Sequence, residues 1–279
     1  MARIGIMQGR LLPPVGNRIQ AFPTARWADE LPLAAIVPLD AIEWIYEVQG
    51  VDDNPVSTSR GVAYLRALND GPGVGVRSLC ADYFMDRPLV RVTSDERRER
   101  ECVLSWLVTQ CALAGIERIV LPFVDVSRIA NAEDFNAVVG ILRNILPNLE
   151  RSGVEIHLET DLPPDDFARL LAAVAHNNVR VNYDSGNSAS LGYDPRAEFA
   201  AYGAAVGSIH IKDRVRGGGT VPLGQGNADF RSLFGELRRT GYTGDFVLQV
   251  ARGVSGEEVE WARQNLNFLQ RCLSQASEE

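Results

Sequence analysis

The sequence predicts a single (β/α)8 barrel of the α/β class. Short apolar runs alternate with longer amphipathic ones along all 279 residues, and strict βα alternation builds a parallel sheet. Eight such units within about 300 residues match the size of a closed barrel. After the first strand stands Met7-Gln8-Gly9-Arg10-Leu11, so the G-x-G-x-x-G turn of the alternative, an open doubly wound sheet, is missing.

The first strand is read over Arg3–Met7, with a helix near Arg26–Ile36. Ala41–Ile45 leads to a helix around Thr58–Leu68, and Val74–Cys80 to a charged loop and a helix near Asp95–Ala114. Arg118–Pro122 precedes a helix near Ala132–Ser152. Val154–Leu158 precedes a helix opening behind Pro163-Pro164, with Asp165 and Asp166 in its positively polarised first turn. Val179–Tyr183 is the sixth strand, and a turn and loop are expected after it, before a helix near Pro195–Tyr202. Ser208–Lys212 is followed by a glycine-rich loop, either a lid or a connection, and a helix near Phe230–Thr240. Asp245–Val250 and a helix over Gly256–Ser274 close the chain. No Pro/Ser-rich linker interrupts this order, so residues 1–279 read as one domain.

A net charge of −8 argues against nucleic acid or an anionic membrane as partner. No apolar run approaches the roughly 18 residues of a membrane span. Met1-Ala2-Arg3 runs straight into a strand without a signal-peptide pattern. Cys80, Cys102, Cys111 and Cys272 lack paired C-x-x-C spacing and read as reduced, structural thiols. A cytoplasmic protein is expected.

A barrel gathers the C-terminal ends of its strands on one face. The first strand brings Gln8 and Arg10 there, the second Glu43 and Glu47 on one side, and the third Asp82. The fifth brings His157 and Glu159 on one side, with Glu155 expected toward the outer helices or the strand's N-terminal end. The sixth supplies Asp184 and Asn187, the seventh His210 and Lys212, the eighth Gln249 with Arg252 beyond. Charged groups inside apolar strands are costly unless paired or bound to a cation. Glu159, Asp184 and His210 come from successive strands and suit a divalent ion, although each alone also suits a hydrogen-bonded structural role. Asp184-Ser185-Gly186-Asn187 is equally good turn chemistry. Trp44, Tyr46 and Tyr83 fit a sugar-facing wall or core packing. The run Arg97–Glu101 reads as a solvated helix face, and His176 as a capping or surface residue.

Seven motifs carry a resemblance over essentially the whole chain: I-G-I-M-Q-G-R-L at 4–11, D-A-I-E-W at 40–44, L-E-T at 158–160, Y-D-S-G-N at 183–187, I-H-I-K-D at 209–213, P-L-G-Q-G-N-A-D-F at 222–230 and G-D-F-V-L-Q at 244–249. In this order they resemble the sugar phosphate isomerase/epimerase family of xylose-isomerase-like TIM barrels, nearest to the L-ribulose-5-phosphate 3-epimerase and ketose 3-epimerase types. The resemblance implies Mn2+, Mg2+, Co2+ or Zn2+ held by Glu, Asp, His and Glu. Glu159, Asp184 and His210 match the first three positions, and the fourth falls on Gln249. An amide still offers a neutral oxygen to a hard cation but cannot take a proton.

The implied activity is isomerisation or epimerisation of a ketose or ketose phosphate by proton transfer through a metal-stabilised enediolate. Glu159 is the expected base, and Glu43, Glu47 or Lys212 would stand in for the missing second one. Gln8, Arg10, Glu47, Asp82, His157, Asn187 and Arg252 are expected to bind the sugar, with Lys212, Arg214, Arg216, Arg252 and Arg10 near any phosphate. A homodimer or homotetramer fits the relatives. The alternatives are a dehydratase of the inosose type and a non-catalytic sugar-binding barrel, for which Gln249 is the best argument. An apurinic endonuclease is disfavoured by only three histidines and the acidic charge.

Overall fold

The computed structural model describes residues 2–16 and 18–278. Its elements run β1 (Ile4–Met7), α1 (Glu30–Ile36), β2 (Ala41–Ile45), α2 (Ser59–Asp70), β3 (Gly75–Cys80), α3 (Tyr83–Asp86), α4 (Ser94–Ala114), β4 (Arg118–Phe123), α5 (Ala132–Ser152), β5 (Glu155–Thr160) and α6 (Pro164–Val174). They continue with β6 (Val179–Asp184), α7 (Ser185–Leu191), α8 (Pro195–Tyr202), β7 (Val206–Ile211), β8 (Asp213–Arg214), β9 (Thr220–Val221), α9 (Phe230–Arg239), β10 (Asp245–Leu248) and α10 (Glu258–Glu278). The strands close into a barrel in the order β1-β10-β7-β6-β5-β4-β3-β2, the (β/α)8 architecture expected. No helix among the described residues is long and apolar enough to cross a membrane.

By internal contacts the chain forms two compact units, one of Met1–Ile42, Pro163–Asp165 and Val181–Glu279, the other of Glu43–Leu162 and Asp166–Arg180. In the first, parallel register sets Ile4 opposite Phe246, Val247 opposite His210 and Asp184 opposite His210. In the second, Ser78 lies opposite Arg118 and Glu159 opposite Pro122. β4 is buried along its whole length, as expected for a parallel strand covered on both faces.

The helices start where local chemistry supplies acceptors for their first N–H groups. Thr93 and Glu96 form a capping box ahead of α4. Asn131 caps α5 by accepting from the Asp134 amide.

The structure corrects the sequence reading at three places. The loop expected after Asp184 is the helix α7. Asp184 Oδ1 accepts from the Gly186 and Asn187 amides, both at 2.8 Å, so the turn-forming residues here are a helix N-cap. Gly192 ends that helix in the left-handed region at φ 77°. The last barrel strand stops at Leu248, and Gln249 lies just past it with its amide still donating to the Ile211 carbonyl. Arg100 is buried rather than solvated, donating to the Pro88 carbonyl and to Glu96.

The glycine-rich loop, finally, is tied down. β8 and β9 pair as a short hairpin, and buried Asp213 accepts from the amides of Gly224, Gly226 and Ala228.

Candidate active site

In the first unit the end of β6 and the segment after β7 meet around one ammonium. Lys212 Nζ lies 3.2 Å from Asp184 Oδ2 and 3.1 Å from Gln249 Oε1, with Asn187 Oδ1 at 3.5 Å. The stem reaches there because residue 186 is glycine: a Cβ would meet Lys212 Cγ at 2.6 Å. Asp184 therefore divides its carboxylate. Oδ1 caps α7, while Oδ2 faces Lys212 and, at 3.9 Å, His210 Nδ1. Asn187 also accepts from Arg214 Nη1 at 2.8 Å, and Arg214 donates to the Gly218 carbonyl, linking the hairpin loop to α7. Gln8 is fully buried.

The first loop reaches the same place through residues that carried no motif. Buried Glu30 accepts from the Gly9 and Leu11 amides. Burial pushes its carboxyl up to about 7, against the opposing pull of those two amides and of Arg252 and Arg10. Arg10 donates to the carbonyls of Val250 and Ile19 and to Gln20 Oε1. Arg252 donates to Ile19, Gly9 and Leu12 carbonyls. Both guanidiniums thus hold backbone. Gln249 Nε2 donates to Gln20 Oε1 at 3.1 Å. Gln20 and Glu30 escaped sequence reading because they lie in an irregular stretch and a helix start, with partners more than 200 positions away in the case of Gln20.

In the second unit Glu43, Glu47 and Glu159 are buried. Glu43 accepts from the Ser78 hydroxyl, and Asp82 from the Cys80 thiol at 3.2 Å. Burial, followed by the negative charges of Asp82, Glu43 and Glu159, holds the Cys80 thiol well above its ordinary range. His157 Nε2 contacts Glu155 Oε2 at 2.8 Å. Burial lowers its pKa to about 4 despite that carboxylate, so near neutrality the imidazole is uncharged and Nε2–H donates. Glu155, the first residue of β5, thus stands at the strand's N-terminal end, one of the two places expected, with its carboxylate turned to His157.

Trp44 is core, donating to Asn54, whereas Tyr46 and Tyr83 pack on each other at 5.7 Å. His176 caps, accepting from the Asn178 amide and touching Glu150.

Glu159, Asp184 and His210, all buried, offer one ligand atom each, and these atoms lie within 4.8 Å of one another. Three such donors could hold a divalent ion. Two carboxylates and an imidazole suit Zn2+ or Mn2+ alike.

The fold is a closed eight-stranded βα barrel, and its Glu-Asp-His set could hold a metal ion. The chain belongs to the xylose isomerase-like TIM barrel family, whose sequence pattern matches residues 32–272. Among curated relatives, L-ribulose-5-phosphate 3-epimerase UlaE of Escherichia coli O8 (strain IAI1) is 26% identical over 249 residues, spanning 85% of this chain and 87% of the relative. The UlaE of Shigella flexneri serotype 5b (strain 8401) is 26% identical over 247 residues with the same coverage, 85% and 87%. These relatives are epimerases, which are isomerases. Among solved structures, the IolI protein with a binding zinc atom superposes with a TM-score of 0.79 at 16% identity, covering 98% of this chain and 99% of that one. L-ribulose 3-epimerase superposes at 0.77 and 16% identity, covering 100% and 96%. At such identities the structural likeness concerns the fold.

Proposed function

We propose that the chain, acting as one domain over residues 1–279, is a divalent-metal-dependent isomerase or epimerase of a ketose or ketose phosphate. The observation that carries the reading is the buried Glu159, Asp184 and His210 donor set. The epimerase relatives, named for a ketose phosphate, support it. Mn2+, Mg2+, Co2+ or Zn2+ bound there would supply Lewis-acid polarisation of a sugar carbonyl, acidifying the adjacent C–H.

Glu159 then takes that proton as the base. Gln249 carries no exchangeable acid, so the proton returned to the other face comes from Lys212, whose ammonium Gln249 Oε1 and Asp184 Oδ2 already hold. Glu43, accepting from Ser78, is the alternative donor once protonated. Asn187, Asp82, Glu47 and Gln8 are the proposed hydroxyl-binding groups. Arg10 and Arg252 hold the first loop and are proposed to act on substrate through it, while His157, engaged by Glu155, is the least direct member of the expected set.

The test is metal content of wild type beside Glu159→Ala and Asp184→Ala, followed by uptake of solvent deuterium into ketoses and ketose phosphates. Near-stoichiometric metal in wild type only, with exchange abolished in Glu159→Gln, is the expected result. A wild type that takes up no ion and exchanges no proton would refute the reading. Loss of water from the product would instead identify a dehydratase.

Gln249 in place of an acid favours a second reading, a sugar-binding barrel without turnover. Saturable sugar binding without deuterium uptake would mark it.

A further inference from the structure

We infer that Gln20 is a positioning residue that sets which end of the Gln249 amide points into the site. The inference rests on the metal-dependent reading above and concerns how this chain works without a glutamate at position 249.

A carboxylate presents oxygen whichever way it turns. An amide does not: one end accepts and the other donates. Turned the wrong way, Gln249 would aim its NH2 at the Lys212 ammonium and the Asp184 side of the donor set. Lys212 alone favours the oxygen-inward orientation, but a divalent ion beside Asp184 repels that ammonium and weakens its hold. A second, outward restraint is then needed, and Gln20 Oε1 supplies it by accepting from Gln249 Nε2 at 3.1 Å. A flip would set the Gln249 oxygen against the Gln20 oxygen.

Gln20 is itself an amide and needs the same kind of fixing. Arg10 Nη2 donates to its Oε1 at 3.3 Å, which keeps that oxygen facing the two donors. Its backbone is anchored next door, where the Ile19 carbonyl accepts from Arg10 Nη1 at 2.6 Å and from Arg252 Nε at 3.0 Å. Arg10, Gln20 and Gln249 form a short relay in which Arg10 Nη2 and Gln249 Nε2 both donate to Gln20 Oε1, which leaves the Gln249 carbonyl oxygen on the Lys212 side. Arg10 donates also to the Val250 carbonyl, the residue after Gln249, so both partners are held by one guanidinium.

The experiment titrates the metal-stripped full-length protein with Mn2+ alone, by calorimetry, for wild type, Gln20→Leu and Gln20→Glu. Removing an outer hydrogen-bond partner of a ligand lowers ion affinity by roughly 10- to 100-fold, and that loss is expected in Gln20→Leu. Gln20→Glu keeps an acceptor for both Arg10 and Gln249 and should stay within about threefold of wild type, on the same scale. Unfolding of the metal-free proteins is measured alongside, and near-equal midpoints are expected. Equal Mn2+ affinity in wild type and Gln20→Leu would overturn the relay while leaving the metal reading intact. Weakened binding in Gln20→Glu equal to that in Gln20→Leu would also overturn it, because the acceptor would not be what matters. Absence of Mn2+ binding by wild type would overturn both.

Discussion

Glu30 makes a quantitative prediction, because its carboxyl has been removed from water without losing its charged neighbours. The perturbation is Glu30→Gln, followed across pH. In the folded protein burial raises the carboxyl from 4.5 to about 7. At about 1.36 kcal/mol for each pH unit of displacement, this amounts to roughly 3 kcal/mol. The pKa is raised on folding, so the protonated form is favoured in the native state. The contribution is therefore fully present below pH 4.5 and is lost as pH rises through about 7. A glutamine at this position keeps one acceptor for the Gly9 or Leu11 amide and opposes the other with an NH2 group, a cost that does not vary with pH. Urea unfolding at half-unit steps between pH 4 and pH 8 should show wild type losing about 3 kcal/mol relative to Glu30→Gln, confined to that window. A constant difference between the two proteins would mean that the Gly9 and Leu11 amides, Arg252 and Arg10 together cancel the effect of burial, and that the reasoning is wrong.

Other expectations follow from the same geometry. Asp184→Ala should destabilise the fold by about 1–2 kcal/mol through loss of the α7 cap, whereas Asp184→Asn keeps an oxygen for the two amides and loses much less; both should lose bound metal, read by elemental analysis. Gly186→Ala places a methyl 2.6 Å from Lys212 Cγ and should cost about 1–3 kcal/mol. It should also lower turnover, as Lys212→Met should, and adding Gly186→Ala to Lys212→Ala should cost little more in unfolding assays. Gln249→Glu adds a negative charge 3.1 Å from the Lys212 ammonium and should increase metal retention during dialysis against chelator; unchanged retention would place residue 249 outside the coordination sphere.

The barrel and its donor set were legible in the sequence for one physical reason. A strand has period two and a barrel has one functional edge, so Glu159, Asp184 and His210 could be aligned by counting. The same counting put His157 on the Glu159 side but could not say how far along the strand it would lean. Glu155, on that side two residues earlier, captures its ring. Asp184-Ser-Gly-Asn was read as a turn because turns and helix caps recruit the same side chains, and only the two amide donors at 2.8 Å separate the cases. Gln20 and Glu30 were invisible. Gln20 meets Gln249 only when the barrel closes, and nothing periodic marks a residue whose partner lies 229 positions away; Glu30 accepts from Gly9 and Leu11 across an irregular stretch whose path no pattern predicts. Arg10 and Arg252 were noticed for their charge, whereas the structure uses mainly their geometry, as forks that hold carbonyls.

Asp213 has a bearing on how this barrel could be altered. Its carboxylate seals the segment from Gly224 to Ala228, and a side chain at Gly226 would strike Asp213 Oδ1 at 2.2 Å. At Gly219, by contrast, an added side chain would meet nothing within 4 Å among the described residues. The loop thus has a fixed base and a permissive tip. Diversity introduced for new substrates, or accumulated by drift, has room around Gly219, while Asp213, Gly224 (φ 83°) and Gly226 constrain one another.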